Sequence, residues 1–242
     1  MLKLLFLLTS ALGTAVAKES PAPFVEVLGI AQDAGHPQAG CLKDCCKAAW
    51  ADPEKTHRVT SLAIVDPLSN ERWILDASPD LPAQLHALDQ AMPEVAGQAP
   101  SGIFLTHAHI GHYTGLVHLG REVMGAREVP TYAMPRMARF LGRNAPWDQL
   151  VRLKNIALRP LRDGQEITLD PRVRIRPVAV PHRDEYTETV GYVILGPRRQ
   201  VLYLPDIDKW ERWSTPIEEV LAQVDRAEYQ ANLNTSTSRT PL

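Results

Sequence analysis

Charge of one sign is missing from this sequence. Its 26 Lys and Arg face 28 Asp and Glu, a formal net charge of −2 over 242 residues, and no basic cluster large enough to cover a face occurs. Nucleic acid and anionic membrane surfaces are therefore not expected as partners. A long apolar run is missing too: residues 4–12 form one at the amino terminus, but a spanning helix needs about 20 residues. There is no internal repeat, and no low-complexity block before the last residues. Cysteine is scarce, with only Cys41, Cys45 and Cys46, so any single disulfide leaves one thiol over.

What is present begins with an export pattern. Lys3 supplies the positive start, residues 4–12 the apolar core, and Ala15-Val16-Ala17 a small-x-small cleavage site before the polar Lys18-Glu19-Ser20. Residues 1–17 are read as a signal peptide, and the mature chain is expected in a bacterial periplasm or secreted, with no membrane span after cleavage. A retained anchor is the alternative. The rest is long enough for one α/β domain with a sizeable core, expected over 18–225. Alternation and branching predict strands at 24–30, 60–66, 72–75, 103–105, 129–133, 156–158, 165–169, 173–180, 191–195 and 201–204. Apolar residues at helical spacing predict helices over 81–88, 113–124, 135–141 and 215–225. Residues 226–242 are polar, rich in Thr, Ser and Asn, and are expected to form an unordered tail.

The chemistry concentrates at the end of the strand at 103–105, where the sequence runs Thr106-His107-Ala108-His109-Ile110-Gly111-His112. In an extended segment side chains alternate, so His107 and His109 share a face. His112 stands where a helix opens and can turn back toward the same point. A lone histidine is more often a core or surface side chain than a ligand. Three within six residues, at a strand-to-helix junction, point instead to a metal, since neutral imidazole is a good zinc ligand and zinc takes about four donors. His182, at the end of the strand at 173–180, and Asp206, at the end of that at 201–204, are further candidates.

This segment resembles the signature of the metallo-β-lactamase superfamily, His-x-His-x-Asp-His. Its longer wording, from Thr106 to Leu116 with Leu119-Gly120-Arg121-Glu122 following, resembles the branch named for PQQ-biosynthesis protein B. The resemblance implies an αββα sandwich, here lacking its last strands and helices, because no apolar segment follows residue 225. It implies a first metal site of His107, His109 and His182, with Asp206 bridging to a second. Gly111 stands where the family has its Asp, so the second site is expected to keep only His112 and Asp206, giving one strong zinc site. Asp76, at the end of the strand at 72–75, matches a residue that orients the ligands from behind. Asp33 and His36, on the loop after the first strand, are expected to line the cleft, with Tyr113 and Tyr186.

The implied function is hydrolysis of an ester, lactone, amide or phosphoester of a small molecule, since zinc lowers the pKa of bound water to about 7. Asp206 is expected to act by hydrogen-bonding the bound water, with Asp33 or Asp184 as the base. Three histidines also suit iron, which would make an oxygen-handling oxidoreductase. A truncated, catalytically impaired metal-binding protein is the remaining alternative. Cys41, Cys45 and Cys46 are read as a structural zinc site with His36, or as one disulfide and a free thiol. Adjacent Cys45 and Cys46 are poor partners for each other, because a disulfide wants Cα atoms about 5.5 Å apart. Oligomeric state is left open.

Overall fold

Runs of Val, Ile, Leu and Tyr build two sheets that face each other. The computed structural model describes residues 20–229 and 239–242; the export signal read at 1–17 lies outside them. One sheet is built from β1 (Phe24–Gly29), β2 (Ser61–Asp66), β3 (Glu71–Leu75), β4 (Gly102–Phe104), β5 (Val129–Ala133) and β6 (Ile156–Pro160). The other contains β7 (Ile167–Thr168), β8 (Arg174–Ala179), β9 (Val190–Leu195), β10 (Gln200–Leu204) and β11 (Arg226–Tyr229). A last strand, β12 (Arg239–Pro241), returns to the first sheet. The orders are β12-β1-β2-β3-β4-β5-β6 and β11-β10-β9-β8-β7 among the described residues. From β3 to β6 the first sheet is parallel. Strands of that kind are covered on both faces, which is why β4 is buried throughout.

Between the sheets, Val25, Ile64, Trp73 and Phe104 meet Val173, Ile175, Tyr192 and Tyr203. The outer face of the first sheet carries α2 (Leu81–Ala91), α4 (Pro135–Arg143) and α5 (Trp147–Arg152); the short α1 (Asp44–Ala51) precedes α2, and the short α3 (Ile110–Tyr113) follows it. Leu81, Leu85 and Leu88 of α2 recur at helical spacing and are buried against the sheet. Each such leucine contributes roughly 1.5–3 kcal/mol when fully buried. The outer face of the second sheet carries α6 (Ile217–Leu221), whose Val220 packs with Trp213 on Val193 and Leu202. The order of layers is helix, sheet, sheet, helix, the αββα sandwich.

Several expectations need correction. Of the tail expected to be unordered, the described residues at its two ends are ordered: β11 pairs parallel to β10, β12 pairs antiparallel to β1, and Leu242 is buried between the sheets. Sheet edges supply backbone partners that a local pattern cannot show, so polar segments become strands. The helix expected over 113–124 breaks into α3 and a 3-10 turn at Thr114–Leu119. The cause is Gly115, whose N–H bonds Ala77 O at 2.9 Å and where a Cβ would stand 2.0 Å from Ser78 O. The helix expected over 215–225 shrinks to α6. α1 and α5 have no counterpart in the expected elements.

For function, the decisive feature is that β3, β4, β8 and β10 all end at one edge of the sandwich. Asp76, the histidine segment, His182 and Asp206 follow those ends directly.

Candidate metal centre

Beyond β4 the chain stays extended through His109 (φ −96°, ψ 149°) before α3 begins. His107 Nε2 and His109 Nδ1 consequently lie 2.8 Å apart, and His182 Nε2 is 3.2 Å from the same His109 Nδ1. Asp206 Oδ2 approaches to 3.4 Å from His107 Nε2 and 2.9 Å from His112 Nε2. Asp33, brought in by the loop after β1, places Oδ1 2.9 Å from His112 Nε2. Two donor groups result, His107–His109–His182–Asp206 and Asp33–His112–Asp206, each with its ligand atoms within 4.8 Å of one another. Asp206 belongs to both.

The far sides of His107, His109 and His112 are held by the protein. Thr106 Oγ1 donates to Asp76 at 2.9 Å, so it accepts from His107 Nδ1 at 3.0 Å, which leaves the Nε2 lone pair facing inward. His109 Nε2 lies 3.1 Å from Glu185 Oε2, and His112 Nδ1 lies 2.7 Å from Asp76 Oδ2. Asp208 Oδ1 is 3.2 Å from His182 Nδ1, an ion-pair distance without hydrogen-bond alignment. Support of this kind fixes tautomer and ring orientation at metal sites. Asp76 is the hub. Fully buried and at φ +64°, it also accepts from Thr106 N at 2.8 Å and Tyr203 Oη at 3.0 Å.

The electrostatics suit a cation. Burial, then the neighbouring His112, His109 and His182, push the His107 pKa far below the usual imidazole value, so its lone pair stays available. Burial opposes charge on His112, but Asp76, and hydrogen bonds to Asp206 and Asp33, outweigh it and hold its pKa well above the usual value. Burial would raise the Asp33 pKa, and the bond to His112 outweighs it in turn. Three imidazole nitrogens turned on one another, bordered by two carboxylates, form the donor set that a divalent metal with borderline softness accepts. The residues therefore fit a zinc ion.

Other expected site residues fall elsewhere. Tyr113 is 7% exposed and packs on Phe140 and Trp147 at ring distances of 5.4 and 4.7 Å, so it is a core residue and not a cleft wall. Tyr186 is 64% exposed against Phe140, on the surface. Asp184 pairs with Arg136 at 3.3 Å. His36 does line a cavity of about 1110 Å³ that opens on Asp33 and Asp206. It binds Cys45 O at 2.8 Å and stacks on His57, so it does not point at the thiols. Cys41, Cys45 and Cys46 are free, and their sulfurs cluster within 4.8 Å on the same cavity wall. No disulfide forms among them.

Sequence reasoning missed Thr106, Glu185 and Asp208 as supports, and Asp33 as a ligand candidate. The supports each stand within three residues of a ligand, which is the one signal available. Asp33 is 79 residues from His112 and gives no such signal.

Comparison with known proteins places this geometry. Residues 71–239 match the family described as Beta-lactamase superfamily domain. Coenzyme PQQ synthesis protein B of Methylorubrum extorquens strain PA1 is 28% identical over 196 residues, covering 75% of this chain and 64% of that protein. The chain thus spans under two thirds of that relative's length. A crystal structure of Zn2+-bound PqqB from Methylobacterium extorquens superposes with a TM-score of 0.70 at 22% identity, over 85% of this chain and 72% of that one. A diphosphatase from the PhnP family gives 0.56 at 23% identity, over 78% and 68%. At these identities the structural likeness speaks for the fold, whose neighbours include hydrolases.

Proposed function

The chain belongs to the beta-lactamase superfamily, and on that premise we propose that it is a zinc-dependent hydrolase of small anionic esters, lactones, amides or phosphoesters. One observation carries the reading: His107, His109, His182 and Asp206 converge with their ligand atoms inside 4.8 Å, with the His107 and His109 rings braced from behind. Zinc held there supplies Lewis acidity, polarising a carbonyl or phosphoryl oxygen and lowering the pKa of water. The PqqB structure with zinc bound supports that choice of metal. Asp206 and Asp33 line the cavity, and a carboxylate oxygen of either that is not engaged by metal would orient an attacking water and accept its proton. Asp76 keeps His112 aimed between them.

The charge of the substrate is read from the cavity. Lys43, Arg58 and Arg183 line it and make no side-chain hydrogen bond or ion pair with any described residue. Cations on the wall of a cavity that reaches Asp33 and Asp206 favour a ligand that brings its own negative group. The export pattern of residues 1–17 supports a site of action outside the cytoplasm.

The test is a matched pair of 4-nitrophenyl esters, the butyrate and the glutarate monoester, with 4-nitrophenyl phosphate as a third substrate. Zinc-loaded protein is expected to cleave the glutarate or phosphate ester with a KM about tenfold below that of the neutral ester, in proportion to bound zinc. A folded chain that takes up no zinc would sink the reading. Iron uptake with oxygen consumption would replace it by the oxidoreductase.

A further inference from the structure

We propose that Asp33 completes a second metal subsite with His112 and Asp206, and that residue 111 is glycine because Asp33 occupies the space its side chain would need. The inference rests on the metal-centre reading above and adds to it a ligand from outside the histidine segment.

The argument starts from Gly111. It lies within α3 and is not among the positive-φ glycines, so its backbone conformation is open to any residue. Conformational freedom therefore does not explain it. Space does. A Cβ built on Gly111 would stand 2.6 Å from Asp33 Cα, 2.8 Å from Asp33 Oδ1 and 3.1 Å from Asp33 Cβ. Any side chain there would drive the Asp33 loop outward. Conversely, the carboxylate of Asp33 ends close to where a short acidic side chain from position 111 would reach.

The subsite geometry follows. His112 Nδ1 is committed to Asp76, so Nε2 is its free ligand atom. Asp33 Oδ1 and Asp206 Oδ2 each stand 2.9 Å from that nitrogen. The three atoms form a compact nitrogen–oxygen–oxygen face. Asp206 is shared with the three-histidine group, so two ions would lie side by side across one carboxylate. Asp33 is 30% exposed and lines the cavity, so the subsite is reached from solvent. The expectation of two ligands here is thus replaced by three, the third coming from the loop after β1.

Metal content, measured by elemental analysis after zinc loading and gel filtration, decides the matter without reference to turnover. Wild type is expected to hold two zinc ions per chain, and Asp33→Asn one. Gly111→Ala is expected to hold one as well, because its methyl group displaces Asp33. The exchange variant D33G/G111D is expected to return to two, the carboxylate now arriving from α3. Cobalt-loaded wild type should show the magnetic coupling of a neighbouring pair, lost in Asp33→Asn. Equal metal content in wild type and Asp33→Asn overturns the subsite while leaving the three-histidine centre standing. Undiminished content in Gly111→Ala overturns the spatial argument. No metal in wild type overturns the metal-centre reading and this subsite with it. If D33G/G111D does not fold, by circular dichroism, the two single variants still decide.

Discussion

The two ends of the sandwich use the same residue types to opposite purpose. At the end where β2 runs into β3, Asp66 accepts from Arg172 Nε at 2.7 Å, from Arg172 Nη2 and from Leu68 N at 2.8 Å. Beside it Asp170 accepts from Arg172 N at 2.7 Å and Val173 N at 2.8 Å. Both carboxylates there are satisfied by the chain itself. At the other end, His107, His109 and His182 converge with Asp206, and His112 with Asp33 and Asp206, while Lys43, Arg58 and Arg183 line the cavity that reaches the two carboxylates. A closed network stabilises and does nothing else. An open one, braced only from behind, is held ready for a partner the chain does not supply.

That contrast predicts how each end fails. Asp76 is where the two purposes meet, so its loss should do the most damage. Asp76→Ala strands Thr106, His112 and Tyr203 without an acceptor and is expected to cost about 3–5 kcal/mol in urea denaturation, with metal uptake impaired as well. At the closed end, Arg172→Ala leaves the buried Asp66 without its cation and should cost about 3 kcal/mol, with metal content unchanged. At the open end the pattern reverses. His182→Ala should retain the wild-type melting midpoint to within a few degrees, yet weaken zinc binding by at least about 100-fold, more than loss of an outer support does. Asp208→Asn, which touches the ligand from behind, should weaken it by about tenfold. If His182→Ala unfolds the chain, or Arg172→Ala releases metal, the division between the ends is false.

The smallest effect is the acid limb. Burial tends to raise the Asp66 pKa, but Arg172 and the Leu68 N–H outweigh it, so the folded value lies below the unfolded one of about 4. A depressed carboxylate contributes stability above its unfolded pKa and loses it as pH falls through the folded value. Asp170, raised by burial with Asp66 nearby, acts in the opposite sense and makes the limb shallow. Denaturation midpoints should therefore drop modestly below about pH 4 in wild type. The same titration of Arg172→Ala should be flatter.

The parts of this arrangement legible in the sequence are those set by local period. Alternation places His107 and His109 on one side and ends β8 and β10 at His182 and Asp206, and the structure brings these four together. The convergence of Asp33 with His112 is not local: it depends on where the loop after β1 lies once the sheet is assembled, and on the empty space at Gly111. β11 and β12 were illegible for a related reason. Their order comes from the exposed edges of β10 and β1, not from an apolar pattern of their own. Tyr113, expected to line the cleft, lies at the end of α3 with its ring against Phe140 and Trp147, a packing that only the assembled fold reveals.

Asp76 has one more consequence, for descent. A lineage that no longer needed the histidine cluster could not dismantle it at this position, because the substitution that frees the histidines also unseats β10 and the end of β4. Drift would enter instead at His182, or at the solvent-facing Glu185 and Arg183, where exchange leaves the scaffold whole. Across such descendants, the buried aspartate should outlast the histidines it holds.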